Sequence, residues 1–112
     1  MGVIPHNNPT RSLMKEITSP ELRDLIDSGE NLLLLDVREP YEHEEFDIGG
    51  INIPLTELPF RVEEIRQYGD RQVVLYCQSG NRSGLAQKLL ATQFNIHNTI
   101  NLIGGVKGWR EM

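Results

Sequence analysis

The one thiol in the chain, Cys77, is followed by residues that could put a thiol to work. The stretch "VVLYCQSGNRSGLAQKLLA", residues 73–91, runs from an apolar segment through Cys77, Gln78, Ser79, Gly80, Asn81, Arg82 and Ser83 into a helical pattern. The apolar segment reads as a strand, so Cys77 falls at its carboxyl end, where open parallel sheets place their sites. A helix starting about five residues later brings backbone N–H groups without intrahelical partners and the positive end of its dipole. Both favour an anion. The thiolate is the nucleophilic form, so a cysteine placed here should ionise below the ~8.5 of a free thiol. Gly80 opens backbone angles closed to other residues, and a loop curled around the sulfur could bring the Arg82 guanidinium near the pocket. Gln78, Ser79, Asn81 and Ser83 add polar groups that stay hydrogen-bonded while successive amides turn inward as an anion-binding nest. A lone cysteine after a buried strand is most often a packed core residue. A core cysteine, however, has no use for a cationic, glycine-containing loop behind it, and that context favours a nucleophile.

The elements that must position this loop are legible around it. "EITSPELRDLIDSGE" carries a helix start, with Thr18 or Ser19 as cap, Pro20 in the first turn and Glu21 closing a capping box on Thr18. Leu22, Leu25 and Ile26 fall on one face, and Gly29 ends the pattern. "NLLLLDVRE" is too short and too apolar for a surface helix and is followed by Pro40, which predicts a buried parallel strand. "PYEHEEF" predicts one or two helical turns, "GGINIPL" a short strand closed by Pro54, and "TELPFRVEEIRQYG" a helix capped by Thr56 with Phe60, Val62 and Ile65 as its apolar contacts. "RQVVLYC" is a second buried strand, "SGLAQKLLATQ" a helix with Leu85, Ala86, Leu89 and Leu90 on one side, "NTINLIGG" another strand and "VKGWREM" a short closing helix. Strands alternate with helices over connections long enough for crossovers, which predicts a mostly parallel sheet covered on both faces. Residues 1–13, with two prolines and no apolar period, read as a flexible tail or linker ahead of a single domain over 14–112.

The totals agree with one small soluble domain. The chain has 112 residues, 38% hydrophobic and 24% charged, too few for two cores. Eleven basic against sixteen acidic residues give a net charge of −5, which argues against a broad nucleic-acid footprint. The apolar runs, Leu32 to Leu35 among them, fall far short of the ~20 residues that span a bilayer. The first residues lack the basic start and apolar core of a secretion signal. A single cysteine makes no internal disulfide, which fits a reducing compartment, and the expected location is cytoplasmic.

From Lys15 onward, three blocks in order resemble the single-domain rhodaneses, sulfurtransferases that carry sulfane sulfur as a cysteine persulfide. "CQSGNRS" is similar to their active loop, "LLLLDVREPYEHEEFDIGGINIPL" to their first half, and "NLIGGVKGWREM" to their ending, with paired glycines and a tryptophan. The resemblance implies a three-layer rhodanese-like α/β fold, its mostly parallel central sheet flanked by helices on both faces. It implies Cys77 as sulfur carrier, Gln78 to Ser83 as the loop that binds substrate, and no metal or organic cofactor. Donors would be thiosulfate or a persulfide. Acceptors would be cyanide, a thiol or a sulfur-carrier protein, and a cysteine desulfurase is a further implied partner. Two departures stand out. Where many relatives have Gly-His-Ile-x-Gly-Ala, this chain reads Phe46-Asp47-Ile48-Gly49-Gly50-Ile51, with an aspartate for the usual histidine. The loop also lacks the lysine that helps thiosulfate-using relatives hold a dianion, which makes thiosulfate a poor expected donor. "IPLTELPFRVEEI" looks similar to rhodanese domains appended to adenylyltransferases that activate sulfur-carrier proteins.

Other polar residues have plainer readings. Asp36 and Arg38, at a strand end, are expected to fix neighbouring loops as structural support, since buried charges need partners. Glu42, Glu44 and Glu45 read as a solvated helix face. His6, His43 and His97 share no ligand spacing, so no metal site is expected. Gly104 and Gly105 make a turn, and Trp109 packs near the closing helix. Two rival functions remain. Cysteine phosphatases and arsenate reductases resemble Cys-x5-Arg, whereas four residues separate Cys77 from Arg82 here, a tighter cradle better matched to one sulfur than to a phosphate. A binding or regulatory module that keeps the fold without catalysis is the rival from another class.

Overall fold

A computed structural model describes residues 15–112; the tail expected at 1–13 lies outside the described residues. Five strands form one sheet: β1 (Lys15–Ile17), β2 (Leu32–Asp36), β3 (Ile51–Asn52), β4 (Gln72–Tyr76) and β5 (Thr99–Leu102). Their order is β1-β5-β4-β2-β3, and every pairing is parallel. The helices are α1 (Ser19–Asp27), α2 (Pro40–Glu45), α3 (Glu63–Arg66), α4 (Asn81–Phe94) and α5 (Gly105–Arg110), with a 3-10 turn at Leu58–Phe60.

The side-chain period of two in a strand divides the core into two layers. Leu33, Leu35, Val73 and Leu75 pack with Leu58, Val62, Ile65, Ala86 and Leu90, so α3 and α4 cover one face. Ile17, Val74, Tyr76 and Leu102 pack with Leu22 and Val106, so α1 and α5 cover the other. The run of leucines in β2 therefore packs on both sides, Leu33 and Leu35 buried on one face and Leu32 and Leu34 partly buried on the other, as suits a parallel strand between helical layers. Among the described residues, no helix is long and apolar enough to cross a membrane.

Three local expectations change. β1 was not foreseen, because only Ile17 of its three residues is buried and so short a strand shows no alternation. The helix expected over "TELPFRVEEIRQYG" is broken into a turn, the 3-10 piece and α3. Pro59 supplies no N–H and crowds the residue before it, so helical bonding cannot run through the segment. Leu58, Val62 and Ile65 then face the core, while Phe60 is 88% exposed rather than an apolar contact. In α1 the Thr18–Glu21 capping box forms, and Leu22 is fully buried, but Ile26 is 37% exposed. In α4 the buried face is Ser83, Ala86, Gln87 and Leu90, and Leu85 points to solvent.

Candidate active site

Cys77 follows the last residue of β4, and its sulfur lies beneath a loop that curls back over it. The side chain is almost wholly enclosed, with the residue 1% exposed, while Gln78, Ser79 and Asn81 lie on the surface above. Gly80 N–H donates to Sγ at 3.1 Å and Ser83 N–H at 3.4 Å, with the Ser83 hydroxyl also 3.4 Å away. Gly80 is the N-cap of α4 and has no side chain with which to cap it. Ser83 is the third helical residue, so the sulfur accepts the amide that a serine or aspartate cap would ordinarily satisfy. The thiol thus completes the helix, and the helix solvates the thiol.

Two features give the loop its shape. Gly80 sits at φ +105, a left-handed conformation that favours glycine, and an added Cβ would lie 3.3 Å from Gly104 N and 3.4 Å from Leu102 O. The first amides of α5 hold the start of the loop: Val106 N–H donates to Cys77 O at 2.9 Å and Lys107 N–H to Gln78 O at 3.0 Å. A trans peptide points its carbonyl and N–H in opposite directions. Fixing Gln78 O on α5 therefore turns the Ser79 N–H toward the sulfur. Gly105 permits this close docking, since a Cβ there would overlap Cys77 O and stand 2.7 Å from the Gln78 carbonyl carbon. Ser83 is held in turn from β5, its hydroxyl 2.5 Å from Asn101 Oδ1 and 3.2 Å from Gly80 O, while Asn101 Nδ2 donates to Gly80 O at 3.3 Å.

Opposing effects act on the thiol. Burial pushes its pKa up, but the Ser83 hydroxyl and the amides of Ser83, Gly80 and Ser79 outweigh burial and bring it below the ordinary value. An enclosed cysteine would normally stay protonated; this one is disposed to ionise.

Arg82 does not aim its guanidinium at the sulfur. Its two terminal nitrogens donate to both oxygens of Glu42 on α2, at 2.8 and 3.0 Å. Hydrogen bonding to Arg82 holds the Glu42 carboxyl down to about 2, and Glu42 in turn raises the Arg82 pKa. Glu42 is thus a paired, largely enclosed group rather than part of the solvated face expected of α2. Behind it, the fully buried Asp36 accepts from Arg38 Nε at 2.9 Å and Nη2 at 2.7 Å and lies 2.8 Å from His43 Nδ1. Arg38 Nη2 continues to Phe46 O at 2.6 Å, tying the end of β2 to the far end of α2. Asp47 itself is exposed.

The structure gathers Cys77, Ser79, Gly80 and Ser83 around the sulfur, gives the Gln78 carbonyl to α5, and leaves the Asn81 side chain in solvent. Sequence reading gave Glu42 to a solvated helix face and passed over Asn101 and the amides of Val106 and Lys107. Asn101 had a signal, a polar residue inside the apolar strand "TINLI". The amides had none, because a backbone donor is not written in side-chain types.

Comparison with known proteins agrees with this geometry. The rhodanese-like domain family matches residues 18–112. A protein named Sulfurtransferase from Allochromatium vinosum is 36% identical over 98 residues, which cover 87% of this chain and 89% of that protein. YrkF of Bacillus subtilis (strain 168), a candidate sulfur carrier protein by name, is 32% identical over 105 residues covering 93% of this chain. The chain spans only 55% of YrkF's length. The crystal structure of a rhodanese-related protein from Thermoplasma volcanium superposes with a TM-score of 0.74 at 31% identity, covering 87% of this chain and 91% of that one.

Proposed function

Because the chain belongs to the rhodanese-like domain family, we propose that it is a sulfurtransferase whose carrier is a persulfide on Cys77. The observation that carries this reading is the set of amides and the hydroxyl converging on the one sulfur at a parallel strand end. In the first step the Cys77 thiolate attacks the sulfane sulfur of a donor, either thiosulfate or a persulfide. The donor's S–S bond breaks and its remaining fragment leaves with the bonding pair. In the second step an acceptor nucleophile (cyanide, a thiolate or the terminus of a sulfur-carrier protein) takes the outer sulfur and returns the thiolate. The amides of Ser79, Gly80 and Ser83 are fixed before reaction and face the negative charge throughout, as preorganised dipoles do for oxyanions. The relative named Sulfurtransferase supports the reaction class, and the hydrogen bonds that lower the Cys77 pKa support its role as nucleophile.

One observation favours the rival reading of a non-catalytic module, namely the 1% exposure of Cys77. Intact masses separate the two. Wild type and Cys77→Ser are incubated with thiosulfate or a persulfide donor and then with cyanide. One added sulfur on the wild type alone, removed by cyanide, is the expected result. An unmodified wild type, or equal gain on the variant, refutes the carrier role.

A further inference from the structure

Arg82 is the one cation in the loop from Gln78 to Ser83, and its charge is matched by Glu42. The contact is a planar fork on a carboxylate, with two parallel N–H bonds. It is also enclosed: the Glu42 side chain is 17% exposed, and its Oε1 accepts the Glu39 N–H at 3.0 Å, which fixes the carboxylate from its own helix. Next to it the Arg38 charge is matched by Asp36. Lys107 places its amide on Gln78 O and leaves its side chain exposed.

A donor that reaches Cys77 must bring its own negative charge beside a thiolate. Thiosulfate brings two charges; a thiosulfonate, the same sulfane sulfur with one oxygen replaced by an alkyl group, brings one. A free guanidinium would offset the second charge, and a guanidinium held by a carboxylate does so far less. We infer that Glu42 sets the donor-charge selectivity of this site, holding Arg82 so that sulfur donors with a single negative charge are favoured over dianions. This rests on the sulfur-transfer reading and narrows its donor class. Glu42 acts through Arg82 and is a positioning residue. The chemistry is the same for both donors. Cys77 Sγ forms a bond to the outer sulfur, the donor's S–S bond breaks, and sulfite or the sulfinate departs with the pair. The persulfide left on the protein carries the charge, and no oxidant, reductant or proton is consumed.

The test compares second-order rate constants of sulfur loading from thiosulfate and from the methanethiosulfonate anion, read by intact mass, in wild type, Glu42→Gln and Glu42→Gln/Arg82→Gln. Glutamine keeps the oxygen that accepts the Glu39 N–H and removes only the charge. The ratio between donors cancels any loss of folded protein, and comparing that ratio across the variants cancels the constant effect of Lys107. Glu42→Gln should raise the thiosulfate-to-thiosulfonate ratio about tenfold, the scale of one more charge–charge contact near a protein surface, and the double variant should return it to the wild-type value. A ratio that stays within about twofold in Glu42→Gln, or a gain that survives in the double variant, overturns the inference while leaving sulfur transfer standing. Failure of both donors to load wild-type Cys77 overturns both.

Discussion

Replacing Gly105 by alanine should disturb the sulfur's surroundings from the far side of the loop, and Gly104 supplies a matched control. Both glycines have positive φ, +57 at Gly105 and +80 at Gly104. Forcing alanine into that region costs about 1–2 kcal/mol at either position. At Gly104 the nearest atom to an added Cβ is Gly108 Cα at 3.6 Å, an ordinary contact, so the strain stands alone. At Gly105 the methyl would overlap Cys77 O and the Gln78 carbonyl, which are backbone and cannot rotate aside. Relief requires α5 to withdraw, losing the Val106 and Lys107 amides from Cys77 O and Gln78 O. Two such bonds contribute about 1 kcal/mol each, and more if the buried carbonyls find no substitute. The expected destabilisation is therefore about 3–5 kcal/mol for Gly105→Ala against 1–2 for Gly104→Ala. At roughly 4–8 °C per kcal/mol for a domain of this size, their melting temperatures should differ by about 10 °C or more. Circular dichroism melts measure that difference. Alkylation of Cys77 as a function of pH should show a higher midpoint in Gly105→Ala only, because an unpinned Gln78 carbonyl no longer aims the Ser79 N–H. Melts within about 3 °C of each other, with equal alkylation midpoints, would refute the claim that α5 shapes the loop.

In the wild type, the alkylation midpoint should lie below that of a free thiol; Ser83→Ala should move it upward, and an unmoved midpoint would remove the hydroxyl from the account. Glu42 has a depressed carboxyl pKa in the folded state, so its contribution is complete above the unfolded value of 4.5 and fades as pH falls toward about 2. Urea unfolding of wild type and Arg82→Gln should therefore converge in that acid window and differ by about 1–2 kcal/mol near neutrality, after allowing for the solvent that screens Arg82; parallel curves would show that the pair contributes nothing. Tyr76→Phe removes a hydroxyl that accepts the Ile48 N–H and donates to Gly49 O, and should destabilise by about 1–3 kcal/mol in denaturant while leaving the alkylation midpoint alone.

Much of the scaffold was legible because its signals are local and repeated. The apolar runs Leu32–Leu35 and Val73–Tyr76, with no polar alternation, could hardly be anything but strands buried on both faces, and Thr18 with Glu21 announced α1 through a cap that depends on three residues. What escaped reading was decided at a distance. The break in the segment after Pro54 follows from Pro59 together with a core that accepts Leu58, Val62 and Ile65 but has no place for Phe60. At the site, the glycine, the serines and the thiol could be anticipated from spacing along one loop. The partner of Arg82 could not, since Glu42 lies forty positions earlier and comes near only once β2 and β4 pair. Glutamates on a short helix look alike in sequence; only the fold distinguishes the one that meets a guanidinium.

The strand order carries a consequence for how the molecule is made. β1 precedes the other four described strands along the chain, yet its one neighbour among them is β5, so Lys15 waits for Ile100 before its ladder can close. Until then, the middle strands can pair among themselves while the first remains without a hydrogen-bonding partner. The last contacts to form should thus be those uniting the two ends of the domain, and a ribosome pausing before residue 100 would hold a chain with an open sheet margin beside β4.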